Sequence, residues 1–388
     1  MKHIYLDNNA TTPVDERVLD AMLPYLKGMY GNPSSVHFTG REAKAAMENG
    51  REQVAKFMNA DPSEIYFTSG GTESDNIALK GAAYLKRDKK NHIIVSSIEH
   101  HAILESAHYL EKEGFAVDYL GVDKDGFISP DELKEKITDK TSIVSVMQAN
   151  NEVGSIQDIA TLAAITKEAG AVFHTDSVQA AGKIKIDVEE LGCDMLSISG
   201  HKVYGPKGIG VIYIKKGKRI TPLFHGGHHE KKRRAGTENI PGIVAIGAAV
   251  ELAESIRESE HHRLHELSEF FIDGVMNAIP NVYMNGPRND RRVSSTVNLS
   301  FEYIEGESII LSLDMKGIGV ASGSACTSGS LSASHVLTAM SVPIELAQGS
   351  IRFSMGRFTT KEDLEYTISV LPEIIEKLRS MSPLYSKK

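Results

Sequence analysis

From residue 93 to residue 214, short apolar runs recur at the length of strands: IIVSS, AVDYL, SIVSVM, AVFHTD, MLSIS and GVIYI. Most are continuous rather than alternating, and a strand that is apolar at consecutive positions has both faces buried, as in a parallel sheet covered by helices. Between them, apolar residues recur at three- and four-residue spacing over 103–113, 131–137 and 156–169, the pattern of amphipathic helices. This alternation predicts a doubly wound α/β core with a mainly parallel sheet. Upstream, helical spacing covers 14–26 and 41–57, with the turn formers of YGNPSSVHFTG between them. EIYFTSGGTESDN then reads as a strand and a turn.

After residue 240 the texture changes. Two long helical stretches, 243–256 and 261–279, lead to a strand, VSSTVNLSF, then to shorter alternating elements and a final helix over 361–379. The pattern predicts a large unit over 13–257 and a smaller α+β unit made of 1–12 and 258–388. Ile4 and Leu6 of the opening segment are expected to return to the smaller one.

Composition narrows the class. The 388 residues, 41% apolar and 24% charged, can bury a large core. A net charge of −8 offers no basic field for nucleic acid. No apolar run approaches the length of a membrane span, and MKHIYLDNNATTP lacks the apolar stretch of a signal peptide, so a cytoplasmic protein is expected. Two cysteines, Cys193 and Cys326, make no disulfide framework.

The candidate chemistry gathers at strand ends. Lys202 follows MLSIS and precedes a glycine-rich turn, where an amine can be held still and partly desolvated, as a Schiff base requires. Asp176 ends AVFHTD, one strand earlier. A carboxylate to keep a pyridine nitrogen protonated and an amine to hold an aldehyde are what pyridoxal phosphate needs. SGGTES follows a strand and opens a helix, placing Gly71 and Thr72 where free N–H groups bind a phosphate. Of His100 and His101, one is suited to lie on an aromatic cofactor and move protons; the pattern leaves open which. Asn150, Asn151 and Gln179 sit at strand ends, where ligand crevices form.

HGGHHEKKRRAGTEN reads better as a loop near a phosphate, with Thr237 donating a hydrogen bond, than as a metal site built from His225, His228 and His229. Cys326 lies in ASGSACTSGSLSASH, a run with almost nothing to bury, so an exposed nucleophile on a mobile arm (about 322–334) is expected; Cys193 reads as inert core. Arg352, more than Arg357, offers a guanidinium fork for a substrate carboxylate.

Taken together, YLDNNATTP, GNPSS, TSGGTES, EHHAIL, NNEVG, HTDSVQ, SGHKVYGPKGIG, RAGTEN, SGSACTSGSLSASHVL and IRFSMGRFTT resemble the NifS/IscS cysteine desulfurases, pyridoxal-phosphate enzymes of the class V aminotransferase group. The resemblance spans nearly the whole chain. It implies the aminotransferase-like fold (fold type I), with a seven-stranded, mainly parallel sheet. It implies Lys202 as the cofactor lysine, Asp176 on the pyridine nitrogen, and His100 stacked on the ring. Gly71, Thr72, Ser199 and His201 would hold the phosphate, with Thr237 reaching across a homodimer interface. Asn151 and Gln179 would meet the ring substituents, and Arg352, with Asn151 beside it, the substrate.

Cys326 would carry sulfur from L-cysteine as a persulfide, leaving L-alanine, and pass it to an iron–sulfur scaffold protein of the IscU/NifU kind. It is further expected to ligate, transiently, a [2Fe–2S] cluster shared with that scaffold. A selenocysteine lyase or a class V aminotransferase would share the fold without needing the thiol. A docking protein that presents sulfur or a cluster is the alternative outside enzymes.

Overall fold

The computed structural model describes residues 3–322, 333–383 and 385. Its strands are β1 (Ile4–Tyr5), β2 (Ile65–Thr68), β3 (His92–Ser96), β4 (Ala116–Leu120), β5 (Thr141–Ser145), β6 (Val172–Asp176), β7 (Met195–Ser199), β8 (Gly210–Ile214), β9 (Val282–Asn285), β10 (Thr296–Phe301), β11 (Ile318–Gly319) and β12 (Ser350–Ser354). Seven form one sheet in the order β2-β8-β7-β6-β5-β3-β4. Neighbouring strands from β4 to β7 run parallel, and β8 alone is reversed, antiparallel to both β7 and β2. This is the α/β fold expected from the unbroken apolar runs: β3, β5, β6, β7 and β8 are buried at every position, whereas the edge strand β4 is largely half-exposed.

One apolar core lies on each face of this sheet, around Phe173, Leu196 and Val211 on one side and Ile93, Ile143 and Ile212 on the other. A further core joins Ile4 and Leu6 to Phe271, Leu299, Phe353 and Leu371. It sits under the antiparallel sheet β12-β10-β9, and β1 pairs with β11 beside it.

The two helical stretches expected over 243–256 and 261–279 are one helix, Ile240–Ala278, of 39 residues. Its buried residues run from Ile240 to Ala253 and resume at Leu267, so the gap in the apolar pattern marks the passage from one core to another rather than a break. Nothing between 257 and 260 stops a helix. Partly exposed ion pairs at three-residue spacing, Arg257 with Glu254 and Arg263 with Glu260, line the passage.

The parallel strands all deliver their carboxyl ends to one edge, where the loops after β3, β5, β6 and β7 meet the start of the helix Gly71–Leu85. In sheets of this kind that edge is where ligands bind.

Candidate active site

A cavity of about 380 Å3 opens at this edge. Asp176, the last residue of β6, and Lys202, in the short turn after β7, both line it. Lys202 Nζ donates to the carbonyls of Asn9 (2.5 Å) and Ala10 (2.8 Å), so the DNNA segment closes over the lysine. Asp176 is buried, and Oδ1 accepts the Val178 N–H at 2.8 Å. Burial pushes its carboxyl up to about 6, against the pull of that N–H and of Lys202. A buried acid poised this way calls for a cation.

Both histidines of EHHAIL line the cavity, and the helix His101–Lys112 distinguishes them. His100 is its N-cap, with Nδ1 accepting the Ala102 N–H at 3.1 Å, which leaves the ring proton on Nε2. Burial, then Lys202, hold its pKa down to about 4, so the ring is neutral near pH 7. Four buried acids and a buried histidine surround this edge. Asp75 Oδ1, inside the cavity, has no hydrogen-bond partner among the described residues, and burial beside Asp176 raises its carboxyl well above the usual range. Burial pushes Glu99 up to about 8 and Glu152 to about 7. His174, held between Ser145 and Ser197 at 2.8 and 2.9 Å, is pushed down to about 3.

Next to the cavity a second hollow of about 510 Å3 shares Gly71, Thr72, Ser199 and His201 with it and adds Lys207. Ser74 N donates to Gly70 O, the first bond of the Gly71–Leu85 helix, so the N–H groups of Gly71, Thr72 and Glu73 precede the helical ladder. Glycine is needed here for space. A Cβ on Gly210 would lie 2.6 Å from Gly70 Cα, and one on Gly71 would lie 2.8 Å from Val178 Cγ2. The hollow therefore offers helix N–H groups, a hydroxyl and a lysine to one anion.

Gln179 and Asn151 also line the cavity; Asn150 does not. Asn150 instead braces its own turn, accepting the N–H groups of Glu152 and Val153 and donating to Ile98 O. Arg352 enters from β12, but its fork is engaged: one Nη donates to Asp7 Oδ1 at 2.7 Å and the other to Asn151 O at 3.1 Å. Nε is buried and has no hydrogen-bond partner among the described residues. Arg357 is ion-paired with Asp15 at 2.6 Å and does not line the cavity.

A family model described as aminotransferase class V matches residues 4–367. The chain belongs to that family. It is 54% identical over 382 residues to a curated "Cysteine desulfurase IscS" from Dictyoglomus turgidum, covering 98% of this chain and 97% of that one. It is 48% identical to "Cysteine desulfurase" of Homo sapiens, over 99% of this chain and 84% of the other. Among solved structures, a "NIFS-LIKE PROTEIN" superposes with a TM-score of 0.91 at 40% identity, covering 97% of this chain and all of that one. "SspA in complex with cysteine" superposes with 0.81 at 36%, covering 92% and 100%. Within the family, this chain lies among the pyridoxal-phosphate-dependent cysteine desulfurases.

The residues present fit pyridoxal phosphate. Asp176 is a buried acid with no ion-pair partner among the described residues, the helix start with Ser199, His201 and Lys207 forms an anion cradle, and Lys202 lies on the same cavity. Thr237 is exposed on its loop, away from this cavity. Cys326 lies outside the described residues. Cys193 is fully buried, and burial pushes its thiol up to about 12, as suits a core residue.

The basic loop 228–234 has a structural role that its sequence did not disclose. Glu230 forms a buried pair with Arg51 at 2.8 Å, and Arg234 binds Glu73 beside the anion cradle at 2.8 Å. Among the described residues no three His, Cys, Asp or Glu side chains gather as metal ligands, the loop histidines included.

Sequence reasoning passed over Asn9, Asp75, Glu99, Glu152 and Lys183. Asn9 sat in a segment read only as polar loop, Asp75 in a turn, Glu99 beside histidines, Glu152 beside strand-end amides and Lys183 in a stretch given no reading. No local pattern distinguishes a buried charge from a solvated one.

Proposed function

We propose that the chain converts L-cysteine to L-alanine and transfers the sulfur to Cys326 as a persulfide. The observation that carries this reading is that Lys202, Asp176 and Arg352, brought from three separate stretches of sequence, line one cavity with an anion cradle beside it. When bound, pyridoxal phosphate supplies a ring that takes up the electrons released at the substrate's Cα. Asp176 would keep the ring nitrogen protonated. Gly71, Thr72, Ser199 and His201 would hold the phosphate, and Asn151 and Gln179 the ring substituents.

Lys202 Nζ would hold the aldehyde and, as a free amine, would take the Cα proton and return it. Neutral His100 would lie against the ring and donate through Nε2. Arg352, with Nε still open and Asp7 fixing its plane, binds the substrate carboxylate. The Cys326 thiolate attacks the substrate sulfur. A sulfur–sulfur bond forms as the carbon–sulfur bond breaks, the electron pair stays with the carbon fragment, and protonation yields alanine.

The arrangement around this site extends the proposal. Residues 13–257 form the cofactor-binding unit, and residues 1–12 with 258–388 the smaller unit that brings Arg352 and Cys326. The chain works as a homodimer in the cytoplasm, with Thr237 reaching the other subunit's phosphate; the exposure of Tyr30, Val36 and Phe38 supports such pairing. No helix among the described residues is long and apolar enough to cross a membrane. The persulfide passes to an iron–sulfur scaffold protein, with which Cys326 transiently shares a [2Fe–2S] cluster.

The test is direct. Cys326→Ala abolishes sulfide release from cysteine while the yellow absorbance of bound cofactor persists, and Lys202→Ala loses the normal absorbance and turnover together. Normal turnover in Cys326→Ala would refute the assignment of the nucleophile.

A further inference from the structure

Lys183 is a second enclosed lysine next to the site, and the chemistry above gives it no task. Its Nζ donates to Gln179 Oε1 at 2.7 Å and to Asn9 Oδ1 at 2.8 Å. Gln179 Nε2 in turn donates to the Asn9 carbonyl at 2.9 Å, the same oxygen that accepts from Lys202. Asn9 Nδ2 donates to Asn151 O at 3.1 Å and to Thr296 Oγ1 at 2.8 Å. One ammonium therefore touches both amide side chains, and these reach the Asn9 carbonyl that Lys202 binds, Asn151 O and Thr296 Oγ1.

An amide's two ends are nearly equal in shape, so its neighbours decide which end faces a ligand. A lysine ammonium has three donors and no acceptor, so it accepts only the oxygen end of each amide it meets. With Oε1 taken by Lys183 and one Nε2 hydrogen on Asn9 O, the second Nε2 hydrogen of Gln179 remains for a ligand in the cavity. The reversed amide would set Nε2 against an ammonium and Oε1 against a carbonyl oxygen.

We propose that Lys183 is a positioning residue that fixes the Gln179 amide so that its N–H end, rather than its C=O end, meets the cofactor's ring oxygen. Through Asn9 Oδ1 the same ammonium holds the peptide that accepts from Gln179 and Lys202. The burial that lowers the lysine to about 7, with Lys202 and Arg352 adding to it, is the electrostatic cost of placing an ammonium there. The inference rests on the reading that Gln179 touches the cofactor.

The experiment titrates the full chain, stripped of cofactor, with pyridoxal phosphate for Lys183→Met, Gln179→Ala and the double variant. It also records the pH midpoint of the yellow absorbance. Each single substitution is expected to raise the dissociation constant about tenfold, the effect of one hydrogen bond, and to move the midpoint in the same direction. Lys183→Met in the Gln179→Ala background is expected to change it by less than about twofold, because residues that act through one another are not additive.

Lys183→Arg, which also only donates, is expected to restore both readouts. Should Lys183→Met not fold, Lys183→Gln replaces it, since an amide partner accepts either end of Gln179. Additive effects, or no effect of Lys183 variants while Gln179→Ala weakens binding, would overturn the role of Lys183 alone. No effect of Gln179→Ala would overturn both the reading of Gln179 and the role of Lys183.

Discussion

Gly71→Ala tests the anion cradle by geometry alone. The new methyl would stand 2.8 Å from Val178 Cγ2 and 3.7 Å from Ser199 Cβ. Ordinary carbon contacts begin near 3.5 Å, so about 0.7 Å must be found. Valine has one strongly preferred rotamer and its Cγ2 cannot swing away cheaply, so the helix start moves instead. A phosphate hydrogen bond of about 2.9 Å stretched by that amount is no longer a hydrogen bond. Losing one bond to a charged acceptor costs about 1.5–3 kcal/mol, or roughly ten- to a hundredfold in the dissociation constant of pyridoxal phosphate.

The cofactor-free protein should respond differently. Alanine in a helix gains about 1 kcal/mol over glycine, which offsets much of the crowding, so its unfolding midpoint in denaturant should barely move. The assay is an equilibrium absorbance titration of the stripped variant alongside a denaturant melt. Binding within twofold of the parent protein would show that the phosphate does not sit on this helix start.

Two further outcomes follow from the buried charges. Glu230→Gln leaves the Arg51 guanidinium enclosed with only half-exposed Glu48 as a charged partner, and it weakens the carboxylate's bond to Phe67 N in β2. The expected loss is about 3–5 kcal/mol in urea unfolding, and a loss under 1 kcal/mol would refute the pairing as a stabilising contact. Glu99 has a folded pKa near 8 against about 4.5 unfolded, so its ionisation penalises the fold increasingly as pH rises through that window and not at all below it. Glu99→Gln should therefore gain stability relative to the parent at pH 8.5, by on the order of a few kcal/mol more than at pH 5. An equal effect at both pH values would refute the raised pKa.

The sheet was readable because burial on both faces leaves an unbroken apolar run, and MLSIS and GVIYI match β7 and β8 residue for residue. The long helix was split because periodicity reports a single buried face, and Ile240–Ala278 changes the core it packs against halfway along. At the site, Lys202, Asp176 and Gly71 were legible because strand ends and helix starts announce themselves in sequence. Asn9 was not. It joins Lys202, Gln179, Lys183, Thr296 and Ser354, each 170 or more positions away, and such convergence exists only after folding. Arg352 was legible as a cation, whereas its engagement by Asp7 needed the return of the opening segment to β12.

Charge is distributed unevenly across the cavity. Asp75, Asp176 and Glu99 repel one another at one side, each raised by burial, and Lys183, Lys202 and Arg352 repel at another. A fold selected for stability alone would pair these sets directly, because separated buried charge is costly. On the proposed reading, this separation would offer an acid to a ring nitrogen and a cation to a substrate carboxylate before either molecule arrives. Preorganised charge of this kind needs no rearrangement during the reaction. Cofactor binding should accordingly relieve strain on both sides, so that the holoprotein resists denaturant by more than the cradle's hydrogen bonds alone would provide.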